Sequence, residues 1–218
     1  GRDVFTRTVS GLRSTILIGF IGGLIASSIG IVIGLVAGFY GGWIDEFLMM
    51  LTNVVITFPA LAVLMVISAY LPYRGILAMA VLVGLIIWPW TARAVRSEAL
   101  SLRNEQFVDL SRISANNVWR IMFEDIAANM FSYIFMIFVI QYLSTILAAV
   151  GLEFLGLGPT QGVSLGLVMR NAVSWNALEL GAWWWGIIPG AIITLMIVSL
   201  YLINTGLDEV FNPELREM

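Results

Sequence analysis

The chain has 218 residues, of which 60% are hydrophobic and 11% charged, and this composition indicates a membrane protein and excludes an ordinary soluble domain. The formal net charge is −3 and the eleven basic residues are all scattered arginines, which excludes the basic stripe of a nucleic-acid-binding protein. Without lysine, histidine or cysteine, the chain lacks a Walker A lysine, and a serine–histidine protease, a thiol enzyme and a typical zinc site are disfavoured.

Five charge-free stretches approach or exceed the roughly 20 residues that span a bilayer. None alternates as a strand would, so each predicts a membrane helix. Together they predict an all-α, polytopic helix bundle that forms one transmembrane domain over 1–218. The stretches are 14–44, 47–73, 75–92, 126–152 and 180–207.

The first stretch has a ridge of small residues at four-residue spacing. Such a ridge lets the backbone of another helix approach closely in lipid. We expect it to serve helix packing, with a pore-facing groove as the alternative. The ridge consists of Gly22, Ala26, Gly30, Gly34, Gly38 and Gly42.

Polar residues and a proline in the second and fourth stretches are the candidates for a pore lining. Pro59 lies near the middle of the second stretch and predicts a bent helix. The possible pore-lining residues are Asn53, Thr57 and Pro59 of the second stretch and Gln141 of the fourth. For the polar side chains, hydrogen bonds between helices are the alternative, which we favour for Gln141.

The third stretch ends at Trp88-Pro89-Trp90, where two indoles match the headgroup level, and a polar turn through Arg93 and Arg96 extends it. The polar loop 98–129 follows and holds eight charged residues. It cannot lie in hydrocarbon, so it lies in water, either against its own bundle or in contact with a soluble partner. Two short helices are predicted within it, one capped by Asn104 with Glu105 in its first turn, the other capped by Asn117.

A second polar region, 153–185, separates the last two stretches and is rich in glycine. Residues 163–174 predict a short interfacial helix, and Trp183-Trp184-Trp185 resembles an anchor at the membrane surface. The last helix is predicted to enter with Pro189 in its first turn and to end near Asn204.

The run 107–129 resembles the cytoplasmic loop of ABC importer permeases. In that family a Glu-Ala-Ala triplet, a later Gly and a Leu-Pro pair mark the coupling helix that contacts the ATPase subunit. In this chain the triplet is replaced by Asp109-Leu110-Ser111, the Gly by Ala115 and the Leu-Pro pair by Ala127-Ala128, so each landmark is degenerate.

Three other segments resemble the C-type permease subunit of dipeptide, oligopeptide and nickel importers. They are Gly1-Arg2-Asp3-Val4-Phe5, Phe154-Leu155-Gly156-Leu157-Gly158 and Asn212-Pro213-Glu214-Leu215-Arg216, in the subfamily's order. Such subunits carry one more helix before the Gly-Arg-Asp motif. We therefore expect a sixth, N-terminal helix in the native gene.

The resemblance implies the pore-forming subunit of an ATP-driven importer in the cytoplasmic (inner) membrane, with no cofactor in this chain. Its implied substrates are peptides first, while related systems carry oligosaccharides or nickel. The implied partners are a second homologous permease, two ATPase subunits that bind ATP and Mg, an extracytoplasmic substrate-binding protein and the lipid bilayer. The arginines divide six against five between the two sides, so only the resemblance places the polar loop and the C-terminus in the cytoplasm.

The same resemblance assigns roles to two groups of residues. The implied ATPase-coupling residues, within the 104–122 loop helices, are Asn104, Phe107, Asp109, Ser111, Arg112, Ala115, Asn116 and Trp119. The possible contacts of the binding protein are Pro159, Gln161 and Arg170, in an extracytoplasmic region 153–185.

Two other classes of function stay open from the residues alone. One is a secondary carrier or channel that works without ATP, and the other is a non-transporting membrane scaffold. None of the five stretches holds an acidic residue or histidine for a coupling ion, which disfavours the ion-coupled carrier. Backbone carbonyls at broken helices keep a sodium site possible.

Overall fold

The computed structural model describes residues 3–114 and 117–211, with side chains as far as Leu207, and every regular element in these ranges is helical. The predicted all-α bundle is therefore confirmed. Gly1, Arg2, Ala115, Asn116 and the Asn212–Arg216 motif lie outside the described residues. The helices are α1 (Val4–Tyr40), α2 (Gly42–Thr57), α3 (Ala60–Tyr70), α4 (Ile76–Ile87), α5 (Pro89–Leu102), α6 (Gln106–Ile113), α7 (Val118–Arg120), α8 (Ala127–Asn129), α9 (Phe131–Leu152), α10 (Leu165–Ser174) and α11 (Trp184–Phe211), with π-helical segments at Ile121–Ile126 and Glu153–Leu157.

Five membrane spans emerge, but two of them are broken. The continuous spans are Val4–Tyr40, Phe131–Leu157 and Trp184–Leu207. Helices α2 and α3 form a fourth span with a 78° bend, and α4 and α5 form a fifth with a 48° bend. Counting each bent pair once gives the number of spans that the sequence predicts.

Prolines lie at both breaks. Phe58 is extended (φ −81°, ψ 133°), as the residue before a proline prefers, so the helix ends there and restarts after Pro59. The predicted end of the third helix at Trp88-Pro89-Trp90 is confirmed, because α4 ends at Ile87 and Pro89 begins α5, where its missing N–H costs no hydrogen bond. Helix α5 then extends the same span through Arg93 and Arg96, as predicted.

The limits of two spans differ from those predicted. Helix α1 begins at Val4, before the charge-free stretch, because the Asp3 carboxylate caps it by accepting from the Phe5 N–H at 2.9 Å. The Thr6 hydroxyl, bonded to the same carboxylate, lowers the pKa of Asp3. The predicted entry of the last helix at Pro189 is wrong, since α11 begins at Trp184 and continues past Asn204. A proline so near the start removes only one helical hydrogen bond.

Helix α1 is the centre of the bundle, and its small-residue ridge contacts three other helices. A Cβ on Gly22 would meet Ala80 of α4 and Thr145 of α9, and Cβ atoms on Gly30, Gly34 and Gly38 would meet α5. The packing role of the ridge is confirmed, and the pore-facing alternative is wrong for these positions. Gly42 instead begins α2 with a left-handed φ of 54°.

Candidate functional site

A polar stripe runs along one face of α2. Asp45, Met49, Asn53 and Thr57 are spaced four residues apart and therefore share a helix face. They line a groove of about 490 Å³, here called the α2 groove, together with Glu46, Met50, Val54 and Arg96. Two of the possible pore-lining residues, Asn53 and Thr57, thus lie in one cavity.

Two arginines of α5 bond to this stripe. Arg96 donates through Nε and Nη2 to the two carboxylate oxygens of Asp45. Arg93 donates through Nη2 to Oδ1 of Asn53 at 2.6 Å. Ionisable side chains in membrane-spanning helices face the protein interior or a water-filled cavity. The bonded pairs therefore identify the shared face of α2 and α5 as one turned away from lipid.

A second groove, of about 460 Å³, follows the first along the broken α2–α3 span. Its lining includes Phe58, Pro59, Trp90, Gln141 and Ser144. The other two possible pore-lining residues, Pro59 and Gln141, lie here. The four residues are thus divided between two successive grooves, and their role as a pore lining stays a prediction.

Gln141 also has a structural role at the break between α4 and α5. It is buried, and its Nε2 donates at 2.9 Å to the carbonyl of Ile87, the last residue of α4. The favoured interpretation of Gln141 as a hydrogen bond between helices is therefore confirmed.

Replacing Gln141 with leucine should destabilise the protein by about 1 kcal/mol, because the half-buried Ile87 carbonyl at the end of α4 loses its donor. Thermal unfolding of the purified protein in detergent measures this loss. Ser144→Ala is the matched control, since the Ser144 hydroxyl donates only within α9, to the Ile140 carbonyl. Equal melting temperatures for Gln141→Leu and wild type would contradict the assigned role.

The polar loop is held on the bundle by its apolar side. Val108 of α6 is buried with Ile121 and Ile126 in a cluster that also contains Val95 and Ala99 of α5. Two of the implied coupling residues face this side. Phe107 packs against the same cluster, and the Ser111 hydroxyl donates to the carboxylate of Asp125.

The outward side of the loop exposes large apolar groups. Leu110 is 64% exposed, Ile113 81% and Trp119 56%, although Trp119 stacks on Phe123 with ring centroids 5.9 Å apart. Asp109 is also exposed. The implied coupling residues are therefore split, with Asp109 and Trp119 directed outward.

Arg112 bridges the loop to α1. Its guanidinium lies 5.6 Å from the ring centre of Phe39 and forms a 3.3 Å ion pair with Asp109. A cation over an aromatic face is a favourable contact. Arg112 therefore connects the exposed Asp109 to the end of the central helix.

The predicted helix caps in the loop have different outcomes. Asn117 caps α7 as predicted, accepting from the Trp119 N–H at 3.3 Å. The predicted cap at Asn104 is wrong, because Glu105 occupies the cap position and α6 begins at Gln106. The Glu105 N–H bonds to the Leu102 carbonyl in the turn that ends α5, and this turn contains Asn104.

The possible binding-protein contacts lie in the other polar region and differ in exposure. Pro159 is buried, Gln161 is exposed, and Arg170 is half-buried. The Arg170 guanidinium donates to the Gly156 carbonyl at 3.4 Å and occupies the space that a side chain at Gly156 would need. Gly156 has φ 96°, so this glycine serves both the turn and the close approach of Arg170.

Sequence reasoning missed a buried carboxylate. Glu153 is only 1% exposed and continues the fourth span, just beyond the predicted end at residue 152. Its side chain lies against Gly158 and Gly166, at the start of α10. Helical spacing in the sequence could have predicted this burial, since Ile146 and Ala149 precede Glu153 by seven and four residues and lie on the buried face of α9. The argument that no span holds an acid is therefore wrong.

The chain is similar to known transport proteins in both sequence and fold. The family model described as "Binding-protein-dependent transport system inner membrane component" matches residues 30–217. A Brucella ovis protein named "Putative peptide permease protein" is 31% identical over 98% of this chain and 70% of its own length. A "Glutathione transport system permease protein" of Pectobacterium atrosepticum is 30% identical over 99% of this chain and 71% of its own.

The fold resembles that of a solved transporter. A chain of the MetNI methionine ABC transporter, in an inward-facing conformation, superposes with a TM-score of 0.75. The match covers 95% of this chain and 97% of that chain at 14% sequence identity. A second crystal form of the same transporter gives a TM-score of 0.69 at 16% identity.

Proposed function

Since this chain belongs to the family of binding-protein-dependent transport system inner membrane components, we propose that it is the pore-forming subunit of an ATP-driven importer for peptides or related oligosaccharides. The names of its relatives favour peptides, because they refer to a peptide permease and to a glutathione transport permease. The chain itself acts as a permease without an ATPase site, and ATP and Mg are bound by partner subunits.

The exposed apolar face of the polar loop carries this proposal. Leu110 and Ile113 are exposed three residues apart on α6 and therefore share a helix face, and Trp119 is exposed on α7. Exposed apolar surface with polar residues around it marks a protein contact. An ATPase subunit that covers this face would act on a loop already fixed to α5 through Val108.

Transport follows if the ATPase subunits bind two states of the loop unequally. A partner that held both states equally would shift no equilibrium. ATP-driven closure of two ATPase subunits would move the loop helices, and α5 would carry that movement to the Arg96–Asp45 and Arg93–Asn53 bonds on α2. The two grooves along α2 and α3 then provide the substrate path.

The complete importer contains, in this proposal, a second homologous permease and an extracytoplasmic substrate-binding protein in addition to the ATPase pair. The binding protein docks at the end of the bundle that carries Gln161, opposite the polar loop. The assembly lies in the cytoplasmic membrane, in keeping with the family description.

An ATP-independent secondary carrier is the second candidate, and the buried Glu153 favours it. A carboxylate inside a membrane span is a common site for a coupling ion or proton. Uptake into sealed vesicles separates the candidates. Uptake that requires ATP on the loop side supports the importer, and uptake driven by an ion gradient without ATP supports the carrier.

Cross-linking of the loop tests the coupling role directly. The chain has no cysteine, so Asp109→Cys introduces a single thiol on the outward face of α6. In native membranes we expect this thiol to cross-link to a nucleotide-binding chain identified by mass spectrometry. Phe5→Cys, which is exposed at the start of α1, is the control and should give no such product. If no cross-linked product formed from position 109, the coupling role would be contradicted.

A further inference from the structure

An apolar groove, here called the α11 groove, lies between α10 and the start of α11. Its volume of about 650 Å³ is in the usual range for small-molecule sites. Its two walls are helix faces, which include Met169 and Val173 of α10 and Gly186, Ile187, Gly190 and Ala191 of α11. A Cβ on Gly190 would lie 3.5 Å from the Met169 methyl, so the two helices approach each other closely there. The groove is therefore a preformed cleft along a helix pair.

The α11 groove lies where a membrane span begins. Helix α11 forms the span Trp184–Leu207, and only 11% of its most apolar stretch is buried within the described part of the chain. Trp175, Trp183 and Trp184, which flank the groove in sequence, are all exposed. Exposed tryptophans are typical of the headgroup level of a bilayer. The mouth of the groove is thus placed among headgroups, and its α11 wall continues into hydrocarbon.

One carboxylate lies at the rim of this groove. Among the described lining residues Glu179 alone is charged, and it is exposed. None of the ion pairs in the described part of the chain involves it. The Ala177 N–H donates to the Ala172 carbonyl at 2.9 Å, and the Ala182 N–H donates to the Ala177 carbonyl at 2.8 Å. These main-chain bonds on both sides of Glu179 hold its backbone in one position beside the apolar cleft.

A phospholipid with a primary ammonium group matches these features together. In a bilayer the apolar walls of the groove are covered most favourably by hydrocarbon, which an acyl chain supplies. The ammonium of the same lipid can pair with the Glu179 carboxylate at the headgroup level. An anionic headgroup would instead place like charges side by side, and none of the described lining residues is basic.

We propose that the α11 groove binds an acyl chain of an aminophospholipid, with the ammonium of its headgroup on Glu179. This inference goes beyond the proposed transport function, since it assigns a lipid site outside the grooves along α2 and α3. The site requires neither ATP nor a transported substrate.

Photo-crosslinking in vesicles tests the proposal. The full-length protein, with any subunits that co-purify, is reconstituted into equal parts of phosphatidylethanolamine and phosphatidylglycerol. A trace of one or the other lipid carries a diazirine in its acyl chain, and mass spectrometry locates the adducts. The ethanolamine probe should label Val173 and Ile187 about threefold more than the glycerol probe, as one exposed ion pair allows. Leu195, 66% exposed further along α11, is the internal reference and should be labelled equally by both.

Two variants separate the contributions of charge and shape. Glu179→Gln keeps the size of the side chain and should make labelling of Val173 by the two probes equal. Ala191→Phe starts from an exposed lining position and places a ring in the groove. It should lower labelling of Val173 by both probes about tenfold, because an overpacked site excludes the chain. Labelling of Leu195 should stay unchanged in both variants.

Three results would overturn the lipid site. Equal labelling of the parent groove by both probes would reject the aminophospholipid. An unlabelled groove in the complete complex would show that a protein segment covers it. Unchanged labelling of Val173 in Ala191→Phe would place the lipid outside the groove. Because none of these measurements involves ATP-driven uptake, failure of the lipid site leaves the proposed transport function intact.

Discussion

Gly34→Ala is expected to lower the stability of the bundle by about 1–3 kcal/mol, as an overpacked core position does. A Cβ on Gly34 would lie 2.7 Å from the carbonyl oxygen of Ala92 and 2.9 Å from the backbone nitrogen of Arg96. Backbone atoms of α5 cannot rotate away as a side chain can. The two helices must therefore separate, and the α5 arginines that bond to α2 move with them.

The measurement is thermal unfolding in detergent, with the yield of monodisperse protein as a second measure. Gly34→Leu should give no folded protein. Gly151→Ala is the matched control, since its nearest neighbour in the described chain would be a Leu61 methyl at 3.7 Å, an ordinary contact. Removing a helical glycine there should leave stability unchanged or raise it by up to about 1 kcal/mol. A stable Gly34→Ala protein would show that α1 and α5 are not packed as described.

Asp125→Ala is expected to reduce ATP-driven uptake about tenfold, while the partner subunits still co-purify. The Asp125 carboxylate accepts the hydrogen bond of the Ser111 hydroxyl, which fixes α6 to the segment that follows it. A hydrogen bond to a charged group contributes about 1.5–3 kcal/mol, and 1.4 kcal/mol corresponds to a factor of ten in an equilibrium. Without this bond, α6 should follow the ATPase but transmit less of the movement to α5.

Glu124→Ala is the neighbouring control for this prediction. Glu124 pairs with Arg120 at 2.7 Å, but both side chains are mostly exposed, and exposed ion pairs contribute little. Uptake should stay within about twofold of wild type. ATP hydrolysis is measured alongside uptake, because a loosened loop should leave ATP hydrolysis in place while uptake falls. Similar losses for both variants would indicate that charge on the loop, and not the Ser111 bond, matters.

Much of the fold was predictable because lipid imposes simple requirements. Long apolar stretches specified the spans, and their helical form follows from the need to satisfy every backbone group internally. Proline effects were only partly predictable. Pro59 marked a break, yet Pro189 lies inside a continuous helix, because neighbouring residues decide whether a lost hydrogen bond ends a helix.

The candidate site was predictable in outline. Asn53 and Thr57 were singled out as polar residues on an apolar helix, and they lie together in the α2 groove. Asp45 and Glu153 were missed because both fall at the edges of the charge-free stretches. Their burial depends on partners distant in sequence, such as Arg96 of α5 and the start of α10.

The sequence by itself determined the membrane class, the five spans, the polar loop and the close-packing ridge of α1, since each follows from composition or from spacing along one helix. Only the tertiary structure decided which face of the loop is exposed, which helices the ridge contacts and which charges pair across α2 and α5. The reason is physical. Hydrophobic spans and helix faces are local properties, whereas the partners of buried charges are chosen by packing between segments far apart in the sequence, such as Asp45 and Arg96, which are 51 residues apart.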